Sequence, residues 1–425
     1  MADTIRKSRL SRRAALIGGG GLLVAGAGLL AARKSDHGGH HDAYFQKLSA
    51  ALAKAGIAHP VLVIDQARLD HNIAAARATL APRALPLRVV VKSLPAPELI
   101  DHVAKGIGTN RYMVFNGAML SAMAARPEAD LLLGKPLPAA QYAQLLDSVG
   151  VQNAARIQWL IDTPVRLKQY AEIAAARNAP LRANLEIDVG LHRGGFASSM
   201  ALSQALDIAH GLQNVTISGL MGYDAHVPKM SDPDAAYATS QAIYREMIEV
   251  SRQKLNVDPA TLTLNGGGSP TYSRHAQASV ANEVSTGSAF VKPVDFDLDG
   301  LAHHQPASFI ATPVIKTGRM ELPGNEWLTR PLSFMDPNAA RAFFIYGGHW
   351  LATPTSPPGL QFSTLYGRSS NQEMLTGSAR VSLKPDDHVF FRPNQSEAVF
   401  LQFGDIVLFD GEAITGSWQT FPISA

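Results

Sequence analysis

The sequence predicts an α/β fold: a (β/α)8 TIM-type barrel followed by a C-terminal antiparallel β domain. Three observations carry this. From Tyr44 to about Phe290, short β-rich apolar runs alternate with Ala- and Leu-rich segments of helical period. Leaving out the first run, eight strands follow in series, the number that closes a parallel barrel with its helices outside. After Phe290 the helical period fades into short runs rich in Pro, Gly and aromatic residues.

Taken in order, the strand candidates are Val61–Ile64, then Leu87–Val91, Arg111–Phe115, Asp130–Gly134, Ile157–Ile161, Asn184–Val189, Ile217–Tyr223, Thr261–Leu264 and Glu283–Ser288. Helices fit between most of them, as at Ala67–Leu80, Pro97–Lys105, Gly117–Ala125 and Asp234–Lys254. In the last third, Phe343–Tyr346, Ala379–Val381, Val389–Phe391, Asp405–Phe409 and Thr415–Trp418 read as strands, and Phe409-Asp410-Gly411-Glu412 reads as a hairpin turn. The domains expected are a leader at 1–34, a linker at 35–43, the barrel at 44–295 and the β domain at 296–425. There is no internal repeat.

With 425 residues, 46% of them hydrophobic, the chain can bury a large core. A net charge of +3 invites a nucleic-acid reading, so the position of the charges matters. Seven of the 38 basic residues, but only one of the 35 acids, fall in residues 1–34, which leaves the body with 31 bases against 34 acids. No nucleic-acid partner is expected. Cysteine is absent, which excludes disulfides, a thiolate nucleophile and Cys-ligated metals.

The first 34 residues have the parts of an export signal: a basic stretch, an apolar run from Ala14 to about Ala32 and a polar start at Arg33-Lys34-Ser35-Asp36. Ser11-Arg12-Arg13-Ala14-Ala15-Leu16 resembles the twin-arginine signal, with Ala15 in place of the usual aromatic residue. Export in folded form to the periplasm is expected, with the leader either cleaved or kept as a membrane anchor. His37-Gly38-Gly39-His40-His41 reads as a flexible linker.

In a parallel barrel, reactive groups sit where strands end. Lys92 directly follows Leu87–Val91, so an apolar strand lies behind an amine suited to condense with an aldehyde. Asn265-Gly266-Gly267-Gly268-Ser269-Pro270-Thr271 ends the Thr261–Leu264 strand. Its successive glycines let backbone N–H groups close on a phosphate, and the Ser269 and Thr271 hydroxyls can add donors. The spacing is neither a P-loop nor a dinucleotide fingerprint. In Glu186–Phe196 an acid ends a strand and Arg193 follows at the rim, where it can meet a ligand oxygen or form a structural pair with Asp188.

These segments resemble the pyridoxal-5′-phosphate (PLP)-dependent D-serine dehydratase and D-threonine aldolase family, related through its barrel to alanine racemase. The matching pieces are Val61–Asp65, Val91-Lys92-Ser93, Asp188–Arg193, Gly222–His226, Gly266–Tyr272 and Asn282–Ser288, which span most of residues 60–290. The resemblance implies PLP as cofactor, with Lys92 as the lysine that carries it as an imine and as the base at the substrate Cα. It also implies Arg193 near the cofactor's O3′, and Gly267, Gly268, Ser269 and Gly287-Ser288 around the phosphate. His226 or Tyr223 would lie beside the ring, and His226 is a further catalytic candidate. A small amino-acid substrate and a homodimer are expected on the same ground.

The β domain departs from the family pattern. Where relatives carry Pro-Asn-His followed by Cys or Asp to hold a metal, this chain has Pro393-Asn394-Gln395-Ser396-Glu397. A zinc site of nitrogen and sulfur ligands is excluded there. Gln395 and Glu397 remain candidates for a weakly held Mg²⁺, Mn²⁺ or Ca²⁺, and His349 and His388 are the imidazoles nearest in sequence. Loss of the usual ligands weakens β-elimination most, because an unassisted hydroxide leaves poorly. Aldol cleavage of a D-3-hydroxy amino acid is therefore the reaction expected. Dehydration, racemisation and a non-catalytic binding protein are the alternatives.

Overall fold

The computed structural model describes residues 33–422; the leader expected at 1–34 lies almost wholly outside them. By contacts the chain divides into two compact units whose segments alternate along the sequence. One comprises Val61–Ala311, Trp350–Thr353 and the described residues from Phe391 onward; the other comprises the described residues up to Pro60, Thr312–His349 and Pro354–Phe390. The sequence places a single boundary at 295–296. The division differs because the chain leaves and re-enters each unit.

Strand β1 (Val61–Asp65) stands outside the barrel, antiparallel to residues 308–311 of β10 (Ser308–Arg319) and parallel to β16 (Ile406–Phe409). The barrel closes from eight strands: β2 (Leu87–Val90), β3 (Arg111–Val114), β4 (Asp130–Leu133), β5 (Ile157–Ile161), β6 (Leu181–Ile187), β7 (Val215–Gly222), β8 (Thr263–Gly266) and β9 (Glu283–Thr286). All eight neighbouring pairs are parallel. Because helices cover the outer face, these strands are buried on both sides, and this is why apolar residues run together in them, as at Leu131–Leu133 of β4. Leu160 is fully buried, and cutting it to Ala removes about 2–5 kcal/mol.

The helices begin where the sequence supplies caps. Asp65, Asn116, Thr163, Ser198 and Asp232 each accept a backbone N–H in the first turn of the helix they precede. The barrel floor is polar and filled. Arg88, fully buried, donates to Glu283 at 2.7 and 3.0 Å and to Asp130 at 3.2 Å, and Arg111 donates to Glu283 at 2.8 Å. Burial opposes the Arg88 charge, but Glu283 and Asp130 more than offset it and hold its pKa above the usual value.

In the second unit, residues 314–319 of β10 pair with β11 (Arg341–Tyr346), which pairs with β14 (Gln372–Gly377), which in turn takes β13 (Gln361–Phe362), all antiparallel. The remaining strands are β12 (Ala352–Ser356), β15 (His388–Pro393) and β17 (Ile414–Trp418); the last forms the expected hairpin with β16. Ala379–Val381, expected as a strand, lies in a turn after β14. A helix at Glu326–Met335 was not expected, because Pro331 interrupts its pattern.

The expected linker is also corrected. Gly38 is buried where an added Cβ would lie 2.0 Å from Ser378 Oγ, and its neighbours His40 and His41 bond Ser382 and Ser356 at 2.8 Å. Close packing, not freedom, explains these glycines.

Candidate active site

Lys92 leaves the barrel in the single turn that follows β2. Its side chain keeps 42% exposure, so it is less desolvated than a strand-end position suggests; its amine lies 4.7 Å from the Phe115 ring centroid and 3.6 Å from Glu397 Oε1. Glu397 accepts a 2.7 Å hydrogen bond from Ser93 Oγ, and Ser93 in turn accepts from Ser288 Oγ at 3.0 Å. A line of hydroxyls thus runs from the end of β9 to the carboxylate that faces the lysine.

One cavity at the C-terminal ends of the strands is lined by Lys92, Arg193, Tyr223, Gly267, Gly268, Ser269, Gly287, Ser288 and Glu397. The glycines are there because nothing larger fits. A Cβ on Gly268 would come within 2.4 Å of Tyr223 Cε2, and one on Gly287 within 2.6 Å of Val90 O. Gly267 has φ +69°, which glycine adopts without strain. Ser269 Oγ bonds Thr286 Oγ1 at 2.7 Å and accepts from Ala289 N at 3.0 Å, tying the glycine bend to the end of β9.

Arg193 stacks its guanidinium 4.9 Å over the Tyr223 ring. Asp188 is not its partner: that carboxylate accepts from Gly190 N and His192 N, both at 2.9 Å, and meets His192 Nδ1 at 2.8 Å. Burial works against ionisation of Asp188, but these bonds outweigh it and keep its pKa low. Glu186 is the acid whose pKa is raised by burial, with Arg193 pulling the other way. Burial also raises the Tyr223 phenol, opposed by Arg193.

Three expected site residues are placed elsewhere. Thr271, fully buried, donates to Asp224 at 2.5 Å, and Asp224 also meets His275 Nε2 at 2.9 Å, so the threonine supports the bend from behind. Gly266 lies against His275, where a Cβ would come within 2.9 Å of the ring. His226 is not among the cavity lining; its ring rests on Gly190, and its buried Nδ1 has no hydrogen-bond partner.

A wider cavity of about 650 Å³ brings Lys92, Tyr223, Gln395 and Glu397 together with Lys135, Lys229 and Asp295. Gln395 donates to Asp295 at 2.9 Å, while Glu397 is engaged by Ser93 and Lys92. Among the described residues no group of three or more His, Cys, Asp or Glu is arranged to hold a metal ion. His349 and His388 act within the other unit, His349 N donating to Glu373 at 2.7 Å and His388 Nε2 meeting Ile57 O at 3.1 Å. The sequence reading missed Ser93, Phe115 and Lys135 as site residues. Phe115 and Lys135 follow strand ends, the same signal that marks Lys92.

A family model, alanine racemase N-terminal domain, matches residues 64–293, more than half of the chain. The chain belongs to that family. Among curated proteins no sequence matches. Solved structures share the fold of this alanine racemase family member over most of its length. D-threonine aldolase from Filomicrobium marinum is 16% identical with a TM-score of 0.69, covering 85% of this chain and 96% of its own. D-threo-3-hydroxyaspartate dehydratase from Delftia sp. HT23 is 15% identical with a TM-score of 0.67, covering 86% and 98%. Alanine racemase from Bacillus anthracis is 12% identical with a TM-score of 0.64, covering 85% and 98%. These likenesses are likenesses of fold, and PLP is the cofactor expected of alanine racemase-like relatives.

Proposed function

We propose that this chain is a PLP-dependent lyase that cleaves D-3-hydroxy amino acids between Cα and Cβ, in the manner of a D-threonine aldolase. The observation that carries the reading is the meeting of Lys92, the bare Gly267-Gly268 main chain and Glu397 around one cavity. The residues fit the cofactor. Lys92 would hold its aldehyde, Gly267, Gly268, Ser269 and Ser288 its phosphate, and Arg193 and Tyr223 its ring. Bound PLP supplies an electron sink for the bond broken at Cα.

The chain's own groups supply the rest. Aldol cleavage needs a base for the β-hydroxyl proton. His226, whose ring rests on Gly190, does not reach the cavity lining, whereas Glu397 lines it and lies 3.6 Å from the lysine amine. Glu397 therefore takes that proton, and Ser93, held by Ser288, fixes the carboxylate by donating to Oε1. Phe115 and Phe296 narrow the approach and limit water.

The test is product analysis of the purified protein with added PLP. Glycine and acetaldehyde from D-threonine support the aldolase. Pyruvate from D-serine assigns the dehydratase instead, and L-alanine from D-alanine the racemase. A yellow protein that turns over none of them is a binding protein, and the proposal fails.

A further inference from the structure

Two lysines line the barrel mouth without a carboxylate of their own. Lys135 comes two residues after β4 and Lys229 ends the short turn that follows β7, so they meet the cavity of about 650 Å³ from separate parts of its rim. Both are exposed, and neither amine has a hydrogen-bond or ion-pair partner among the described residues. The acids of the same lining are engaged, Glu397 by Lys92 and Ser93 and Asp295 by the Gln395 amide. Counted formally, Glu397 offsets Lys92 and Asp295 offsets one of the two free lysines, which leaves one positive charge in excess at the mouth.

The two lysines belong to the outer cavity and not to the inner one that Lys92 shares with Gly267 and Gly268. Phe115 stands between the two regions. Its ring lies 4.7 Å from the Lys92 amine on one side, and on the other it crosses Gly134, where an added Cβ would collide with it. Beyond that ring the wall is apolar, with Met119, Pro228, Leu298 and Leu401. An apolar wall with a few charged groups at its edge orients a ligand whose stem is aliphatic and whose end is ionised. Cations on a concave rim also draw anions to the entrance.

Resting on the lyase reading, we infer that the outer cavity selects D-3-hydroxy amino acids whose side chain continues as an aliphatic stem to a second carboxylate, received by Lys135 and Lys229. The side chain of D-threonine ends one methyl beyond its β-carbon and offers these lysines nothing. A longer stem lies along Met119 and Leu298, and its terminal charge meets the free amines at the rim. Exposed ion pairs are weak, each changing affinity by at most about fivefold, so the selection is graded and falls as salt screens it.

The experiment is calorimetric binding of D-glutamate and D-glutamine to the purified protein with PLP. The two ligands have the same length and differ in the charge at the end of the stem. The expected result is that D-glutamate binds at least about threefold more tightly at low salt, and that the preference disappears in about 0.5 M sodium chloride. Lys135→Gln and Lys229→Gln are each expected to shrink the preference and together to remove it; both positions are exposed, so the fold tolerates the changes. Equal affinity for the two ligands overturns the inference, as does a preference that survives the double substitution, or binding of neither ligand. Because neither ligand has a β-hydroxyl, the measurement does not pass through cleavage. Failure to cleave any D-3-hydroxy amino acid therefore counts against the lyase reading alone.

Discussion

Glu397 Oε1 lies 3.6 Å from Lys92 Nζ, although the two residues come from opposite ends of the unit's sequence. The carboxylate is held by Ser93, the residue after the lysine, so amine and acid are fixed by one short turn. The pair puts a cation and an acceptor at the mouth of one cavity.

Lys92→Ala removes the amine on which the proposed chemistry depends. Borohydride treatment of the parent with PLP is expected to add the mass of the reduced cofactor at Lys92, and the variant to remain unlabelled. Turnover is expected to fall by at least about 10³-fold. Labelling at Lys135 or Lys229 in the parent would sink the assignment, since both line the same mouth.

Glu397→Gln keeps an oxygen that can accept from Ser93 but loses the charge and the proton-accepting role. The expected result is a drop in kcat on D-threonine of about 10²-fold or more, with borohydride labelling of Lys92 retained. Because Gln395 is engaged by Asp295 and Glu397 by Ser93 and Lys92, EDTA is expected to leave turnover of the parent unchanged. Restoration of lost activity by one divalent ion alone would return Gln395 and Glu397 to the role of ligands.

Gly268→Ala places a methyl group 2.4 Å from Tyr223 Cε2, too close for both to stay. Displacing either the bend or the ring is expected to weaken PLP binding at least about tenfold, an energy near 1.4 kcal/mol, read by titrating the visible absorbance. Gly318→Ala is the control: nothing lies within 4 Å of its added Cβ, so cofactor affinity is expected to stay as it was.

The barrel was legible because short buried strands rich in apolar residues, each closed by a turn, alternate with helical segments, and the candidate site because Lys92, Gly267 and Gly287 fall just past strand ends. What was not legible depends on distant partners. Glu397 reads as a candidate ligand for a weakly held metal ion until Ser93, 304 positions away, is seen donating to it. Gly38 and Gly39 read as flexible until the neighbouring Ser378 and Pro358 are known. The long strand β10 was hidden by Pro313, a residue that ordinarily argues against a strand interior. His226 lies near the site in sequence, but sequence does not tell which way a ring turns after a strand ends.

Glu283→Gln cuts the fully buried pair at the barrel floor and leaves Arg88, itself fully enclosed, with Asp130 at 3.2 Å as the carboxylate still beside it. Breaking one half of a buried ion pair costs about 3–5 kcal/mol, so the melting temperature is expected to drop clearly. Since Glu283 also accepts from Arg111 and Asn265, the change reaches three strands at once. An unchanged melting temperature would mean that the floor does not hold the barrel closed.

His304 sets a limit on acid stability. It is 2% exposed, its Nε2 lies 2.6 Å from Tyr272 Oη, and the buried Lys292 donates to its carbonyl at 2.8 Å. Burial first, then the neighbouring His303, Lys292 and His71, pull its pKa down from 6.5 to about 3. Between those two values the unfolded chain takes up a proton that the folded chain refuses. Folding stability from this residue is therefore complete above pH 6.5 and falls as the pH drops through the window, by roughly 1.4 kcal/mol per pH unit. His304→Gln keeps a polar partner for Tyr272 and carries no proton in this range. The variant's melting temperature is expected to decline less steeply than the parent's from pH 6.5 downward. Parallel declines in the two proteins would show that His304 already takes its proton in the folded state.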